Sequence, residues 1–288
     1  MKDLPYLINL PPFMYRGVEV ENFSLFQKIK FILKGQLTIF VIKRTNGVKF
    51  CNTINFLYDD SDIFYSDKFY VKDYRNRKIF YPNKRVLRLV NNPKLMFEKI
   101  FDSYCLNNIE FKDGDKVVDC GSNVGELCLS FYFRNIDIEY IGFEPDEDTF
   151  KCLSKNTKDL SSNLYNIGLS NTSGESTFYL DNEGGNSSLS DFGAVAQTKI
   201  NVDPLDKFEL KNIKLLKIDA EGFEPEVLDG SIETLKEVEY ISIDFGFERG
   251  KKQESTVVDV NRFLYSKGFE LVDFSKYRLI GLYRNKSI

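Results

Sequence analysis

The run Val117-Val118-Asp119-Cys120-Gly121-Ser122-Asn123-Val124-Gly125 constrains this chain more than any other stretch. An apolar segment ends on an acid, two glycines follow within six positions, and an apolar, helix-compatible segment resumes at Leu127, Leu129 and Phe131. That order of residue types describes a buried parallel strand turning sharply into a helix. Bare backbone beside the amide-rich start of a helix suits a polar ligand lying close to the main chain. A glycine turn also serves plain strand–helix packing, so the turn alone names no ligand.

From Phe111 onward strand-like and helix-like segments alternate, which implies a mostly parallel sheet covered on both faces, an α/β architecture. Strands are expected at Lys116–Cys120, Glu139–Phe143, 164–169, 213–219 and Val238–Asp244, with helices after Asn123, Asp146, Phe223 and Ser255. Phe269–Phe274 and residues 278–283 read as an antiparallel finish. Residues 176–180 and 199–202 read as short strands of an insertion around the loop Gly184-Gly185-Asn186-Ser187-Ser188-Leu189, which could close on a ligand or stand plainly exposed.

Residues 1–93 have a different texture. Pro5, Pro11 and Pro12 argue against an early long helix. Val20, Phe23, Phe26, Ile29 and Leu33 follow helical spacing, and Lys34-Gly35 is a stop signal. Residues 37–42 are strongly β-forming, Thr45-Asn46-Gly47 is turn chemistry, and residues 48–50 resume a strand. An aromatic tract studded with acids and bases then runs from Phe56 to Tyr81. The expectation is a helix packed on the domain, then a β-rich accessory region whose aromatics form an ordinary half-buried sheet or a carbohydrate-binding face. Residues 92–104 read as a helix leading into the core domain, so the division falls between 1–93 and 94–288.

Composition removes several function classes. A net charge of −4 gives no electrostatic case for nucleic acid, which calls for a basic domain or stripe. With no histidine, any proton transfer falls to Asp, Glu, Lys, Tyr or water. The five cysteines form no CxxC pair, so reduced thiols are expected and a metal site is not. No apolar run is long enough for a transmembrane segment, and the early prolines and Asp3 do not resemble a secretory signal, so the expected setting is cytoplasmic. A homo-oligomer is left open.

Three segments carry candidate chemistry. Asn123 replaces the second glycine of a GxGxxG pattern, which separates this turn from the dinucleotide one. Ile141-Gly142-Phe143-Glu144-Pro145-Asp146 places Glu144 23 residues after Gly121, where an α/β nucleotide fold puts a ribose-binding carboxylate. The plainer reading of Glu144 is a solvated acid at a helix start. Leu215-Leu216-Lys217-Ile218-Asp219-Ala220-Glu221-Gly222 delivers acids to the carboxyl end of a strand, and Lys217, on the same face as Asp219, needs a carboxylate partner. Asp219 and Glu221 either cap the next helix or form an active site. Asp244 follows the next strand and can share that pocket, while Glu248 and Arg249 pair with each other or with solvent.

The segments DCGSNVGE, FEPDEDTF, NIGLSNTSGESTFY, GGNSSL and LLKIDAEGFEPEVLDG together resemble the FkbM-type methyltransferases. The resemblance spans roughly residues 111–250 and does not reach residues 1–100. It implies a Rossmann-like seven-stranded methyltransferase sheet of order 3-2-1-4-5-7-6, the last strand antiparallel. It also implies S-adenosylmethionine as cofactor and methyl transfer to hydroxyls of sugars, polysaccharides or secondary metabolites, so a saccharide or other small hydroxylated acceptor is the expected partner. By position, Asp119, Gly121, Asn123 and Gly125 would contact the cofactor's amino-acid end. Glu144 would hold the ribose, and Asp146 with Asn166 and Gly168 would lie near the adenine. Asp219 and Glu221 would face the methyl group, with Asp244 third in line as proton acceptor. Glu126 stands where many relatives have an uncharged residue. Two rivals of other classes remain: a non-catalytic binding module with a nucleotide-like pocket, and a metal hydrolase built on Asp219, Glu221, Asp244 and Glu248.

Overall fold

The hydroxyl of Ser24 accepts from the amide of Gln27, and the Gln27 side chain accepts from the amide of Ser24, a reciprocal cap that starts a twenty-residue helix, α1 (Leu25–Arg44). The computed structural model describes residues 10–180, 187–189, 196–276 and 278–288. The chain divides into two units, Met1–Met96 and Phe97–Ile288. In the first unit α1 is followed by α2 (Gly47–Leu57) and by three short strands, β1 (Ile63–Ser66), β2 (Phe69–Tyr74) and β3 (Arg77–Tyr81), paired as an antiparallel sheet in that order. Asp67-Lys68 and Arg75-Asn76 all take positive φ, as two-residue hairpin turns require.

Residues 37–42 and 48–50, expected as strands, are therefore helical, and among the described residues of this unit β structure is confined to the Ile63–Tyr81 stretch. Lys34-Gly35 does not stop the helix either. Residues 20–22 form only a 3₁₀ turn before it. Local β propensity lost to the continued helical period: Thr38 and Val41 stay on the buried face, and the Thr38 and Thr45 hydroxyls donate to the carbonyls of Lys34 and Val41 one turn back. Gly35 survives mid-helix because a Cβ there would stand 2.5 Å from the Leu10 side chain.

The second unit is a three-layer α/β domain, and α3 (Pro93–Ser103) runs through the division between the units. Its sheet contains β4 (Lys116–Cys120), β5 (Glu139–Phe143), β6 (Ser162–Tyr165), β10 (Ile213–Ile218), β11 (Val238–Asp244), β14 (Phe269–Phe274) and β15 (Ile280–Asn285). Counted along the chain within this sheet, the spatial order is 3-2-1-4-5-7-6, and β15 is antiparallel to both its neighbours. The four central strands are buried along most of their length, as strands between two helix layers are. Val118, Ile141, Leu216, Ile218 and Ile241 belong to one core cluster, and Phe101, Phe111 and Phe131 meet edge to face in another layer.

Helices α4 (Glu126–Phe133), α5 (Glu147–Asn156), α6 (Glu224–Asp229) and α7 (Val257–Ser266) follow the expected positions. The segment expected as one strand over 164–169 breaks after Tyr165. Its end, β7 (Gly168–Leu169), joins β8 (Gly174–Leu180) and β9 (Ala196–Asp203) in a separate small sheet. A hairpin of β12 (Phe247–Arg249) and β13 (Glu254–Ser255) completes the strands. Among the described residues no helix is long and apolar enough to cross a membrane.

Candidate active site

Strand register builds the first part of the site. Lys217 on β10 lies opposite Asp119 on β4, and its ammonium is 2.8 Å from Asp119 Oδ1 with both side chains almost wholly buried. The same ammonium donates to the carbonyls of Cys120 and Gly121, and the Tyr140 hydroxyl donates to Asp119 Oδ2 at 2.6 Å. Burial works against the Lys217 charge, but Asp119, Tyr104 and Asp219 together hold its pKa above the ordinary lysine value. The partner of Lys217 is thus the acid across the strand pair, not Asp219 two residues along. Asp119 thus faces Lys217 with Oδ1 as an ion contact and Tyr140 with Oδ2 as a hydrogen bond.

The two glycines of the turn are demanded by protein packing. Gly121 has φ +75°, and a Cβ there would stand 2.1 Å from the Asp219 carbonyl oxygen. Gly125, at φ +83°, would meet the Leu153 side chain at 2.9 Å. Asn123 also has positive φ, and its amide donates to Glu144 Oε2 at 2.8 Å. Glu144 Oε1 accepts from the Asp146 amide at 2.9 Å, and Asn166 donates to the carbonyls of Glu144 and Pro145. Asn166 thereby leaves the strand path, which is why β6 stops. Burial pushes the Glu144 carboxyl up to about 7, with those amides working the other way. Asp146 caps α5 through the Thr149 amide. Gly168 is packed in the small sheet against Ile200, Leu189 and Val202.

The second part of the site is a cluster of acids at the carboxyl ends of β10 and β11. Asp219 Oδ2 accepts from the Tyr104 hydroxyl at 2.6 Å and from Arg278 at 3.2 Å. Arg278 also bonds Asp244 Oδ2, and Asp244 Oδ1 accepts from the Gly246 amide. Burial opposes the Asp219 charge, but Arg278, Lys217 and the tyrosine hold its pKa down to about 2. Burial and then the Asp219 charge push Asp244 up to about 7 despite Arg278. Burial, Asp219 and Glu248 push Glu221 up to about 10, and Glu221 and Glu248 share a hydrogen bond. Asp219 Oδ1, Glu221 Oε2 and Glu248 Oε2 in this cluster are buried without a hydrogen-bond partner, as is Asp119 Oδ1 beside Lys217.

Glu221 has φ +51°, held by the Ser188 hydroxyl donating to its carbonyl at 2.6 Å. Ser188 belongs to the polar loop named from the sequence; Gly184, Gly185 and Asn186 lie outside the described residues. Arg249 pairs with Glu226 through both guanidinium nitrogens and not with Glu248. Tyr104, Tyr140 and Arg278 were not foreseen. Arg278 was recoverable from topology: antiparallel β15 begins opposite the end of β11, pairing Ile280 with Asp244. A residue two places earlier belongs beside the acids. Tyr104 carries no comparable signal.

Among the described residues Arg278 is the cation that bonds Asp219 and Asp244, while burial and the Asp219 charge push Glu221, Asp244 and Glu248 toward their protonated forms. The cluster does not converge on one ion. Among the described residues no three His, Cys, Asp or Glu side chains are placed to hold a metal, and the Arg278 guanidinium bonds both Asp219 and Asp244. Asp219 Oδ1 stands as an open acceptor, and the two Glu144 oxygens suit a diol. Parts of the chain are similar to known proteins. The hexuronic acid methyltransferase AglP of Haloferax volcanii is 29% identical over 141 residues, 47% of this chain and 57% of that protein. The methyltransferase FkbM of Methylobacillus flagellatus superposes with a TM-score of 0.45 at 18% identity, covering 69% of this chain and 54% of that one. An S-adenosylmethionine-dependent methyltransferase of Aquifex aeolicus gives 0.38 at 15% identity, covering 65% and 88%. The chain spans little more than half the length of the first two. The profile of the methyltransferase FkbM domain matches residues 119–271, over half of the chain, and the chain belongs to that family, whose methyl donor is S-adenosylmethionine.

Proposed function

We propose that this chain transfers a methyl group from S-adenosylmethionine to a hydroxyl of a saccharide. The observation that carries the reading is the acid cluster, with Asp219 ionised and its Oδ1 buried without a partner. The residues fit the cofactor. Each Glu144 oxygen accepts one amide and keeps a second acceptor site, enough for the two hydroxyls of a ribose. The ionised Asp219 attracts a sulfonium, and an uncharged product there loses that attraction. Asp119 and Lys217 shape the turn from below, and the Asn123 amide fixes Glu144.

When bound, the cofactor supplies a methyl group already activated on a positively charged sulfur, so the chain's task is placement and proton removal. Asp219 Oδ1 accepts the acceptor's hydroxyl hydrogen bond, and Arg278 and Tyr104 keep that carboxylate fixed and charged. A carboxylate of pKa about 2 is a weak base. The hydroxyl proton, however, becomes strongly acidic as its oxygen gains carbon, so Asp219 can take it late. Asp244, near 7, shares Arg278 with Asp219 and is positioned to relieve that charge. We place the reaction in the cytoplasm, where the five free, buried cysteines stay reduced.

The saccharide reading draws on the hexuronic acid methyltransferase relative, and a hexuronic acid offers two kinds of oxygen. A hydroxyl needs a proton acceptor. A carboxylate needs none and would be repelled by the ionised Asp219. The test is transfer of labelled methyl from the cofactor onto neutral and acidic saccharides, followed by mild alkali. Label that survives alkali, as an ether does, supports the proposal; label released as methanol means ester formation and contradicts it.

A further inference from the structure

Helix α1 has two apolar faces. One packs inward, with Gly35, Thr38 and Val41 buried and Phe31 edge to face with Tyr15 and Phe23. The opposite face carries Phe26, Ile29, Leu33, Leu37 and Phe40 at spacings of three and four, each between 47% and 76% exposed. Single exposed apolar residues are ordinary; five in one continuous stripe, about 20 Å long at 1.5 Å per residue, are a surface that something covers.

The charges of the helix select the occupant. Lys28, Lys30, Lys34, Lys43 and Arg44 lie within α1, and it contains no Asp or Glu; Glu19 and Glu21 precede its cap. Packing the stripe on a second copy of α1 would bring five further positive charges alongside these, with no acid on either helix to pair them. Exposed Lys30, Lys43 and Arg44 flank or extend the apolar stripe, the arrangement of a helix lying in a lipid interface with its basic groups at headgroup level. Whereas the chain as a whole is at −4, this one element is strongly basic.

We propose that α1 is an interfacial anchor that lies in the plane of an anionic phospholipid bilayer, with Phe26, Leu33 and Phe40 entering the acyl boundary and the basic residues meeting lipid phosphates. It lies on the bilayer and does not cross it. This surface stands on observations in the first unit and does not depend on the chemistry assigned to the second.

Flotation of the full chain with vesicles tests it, using phosphatidylcholine alone and phosphatidylcholine with about one third phosphatidylglycerol. The wild-type chain should float with the anionic vesicles, remain largely unbound with the neutral ones, and be released by high salt. The Phe26→Ser/Leu33→Ser/Phe40→Ser variant alters only exposed positions, so thermal unfolding should be unchanged while vesicle partitioning falls more than about tenfold. Lys30→Glu/Lys43→Glu should lose at least about tenfold, from roughly fivefold for each basic residue near the surface. Wild-type protein that stays unbound with both vesicles overturns the proposal, and so does flotation unaffected by the triple variant. A dimer abolished by the triple variant, with no vesicle binding, would instead make a second copy the occupant.

Discussion

Lys217 and Asp119 illustrate what a buried charge does to its neighbours. Each is almost wholly buried and each is the other's principal counter-charge, so removing one strands the other. Lys217→Met should cost about 3–5 kcal/mol in denaturant unfolding, and Lys217→Met combined with Asp119→Leu should cost less than the single change. Additive costs would show that the two do not act as a pair. The same arithmetic explains what was legible at this scale. Asp219, Glu221, Glu144 and Asp244 were marked by position at strand ends, because open sheets bring carboxyl edges together. The need of Lys217 for a carboxylate is legible, but its partner is set by register across the strand pair rather than by proximity along one strand. Tyr104 escaped because its reach to Asp219 spans 115 residues and follows no local pattern.

Elements are legible in the sequence where burial and pattern agree, and not where propensity stands alone. The alternating segments after Phe111 are buried on both faces, so their apolar runs reported the sheet directly. Residues 37–42 are as apolar and β-branched as those strands, yet they continue a capped helix whose period places Thr38 and Val41 inward. The opening turn also changed meaning as an element. Its glycines serve the close passage of β10 and α5, so their bare backbone is a packing requirement before it is a ligand surface. Gly121→Ala should therefore destabilise the protein by well over the about 1–2 kcal/mol expected from a left-handed non-glycine residue alone. Gly114→Ala, at φ +87° with nothing within 4 Å of the new methyl, should cost only that backbone amount. Equal losses in the two variants, measured by thermal unfolding, would contradict the close approach.

For the whole molecule, the buried acids make stability depend on pH in an unusual direction. Glu144, Glu224 and Asp244 are each pushed up to about 7, by burial first. A carboxyl whose pKa is higher folded than unfolded favours folding below its unfolded value, and that contribution is lost as pH rises through the folded value. Asp219, held down to about 2, works in the opposite sense, its contribution lost only as pH falls toward 2. Cofactor-free protein should therefore melt at a lower temperature at pH 8 than at pH 5. On the proposed role of Glu144, accepting ribose hydroxyls as the carboxylate, binding of the cofactor runs the other way. Affinity at pH 6 should be about tenfold weaker than at pH 8, and Glu144→Gln should bind weakly with that dependence flattened.

The central claim is that Asp219 serves the chemistry and is not needed to bind the uncharged product form of the cofactor. Asp219→Asn keeps the shape and the hydrogen-bonding reach of the side chain while removing the proton acceptor and its charge. Its S-adenosylhomocysteine affinity, measured by calorimetry, should stay within about threefold of wild type, while labelled methyl transfer to saccharide falls by about a hundredfold to ten-thousandfold. Unchanged transfer in this variant, with the cofactor bound normally, would contradict the account.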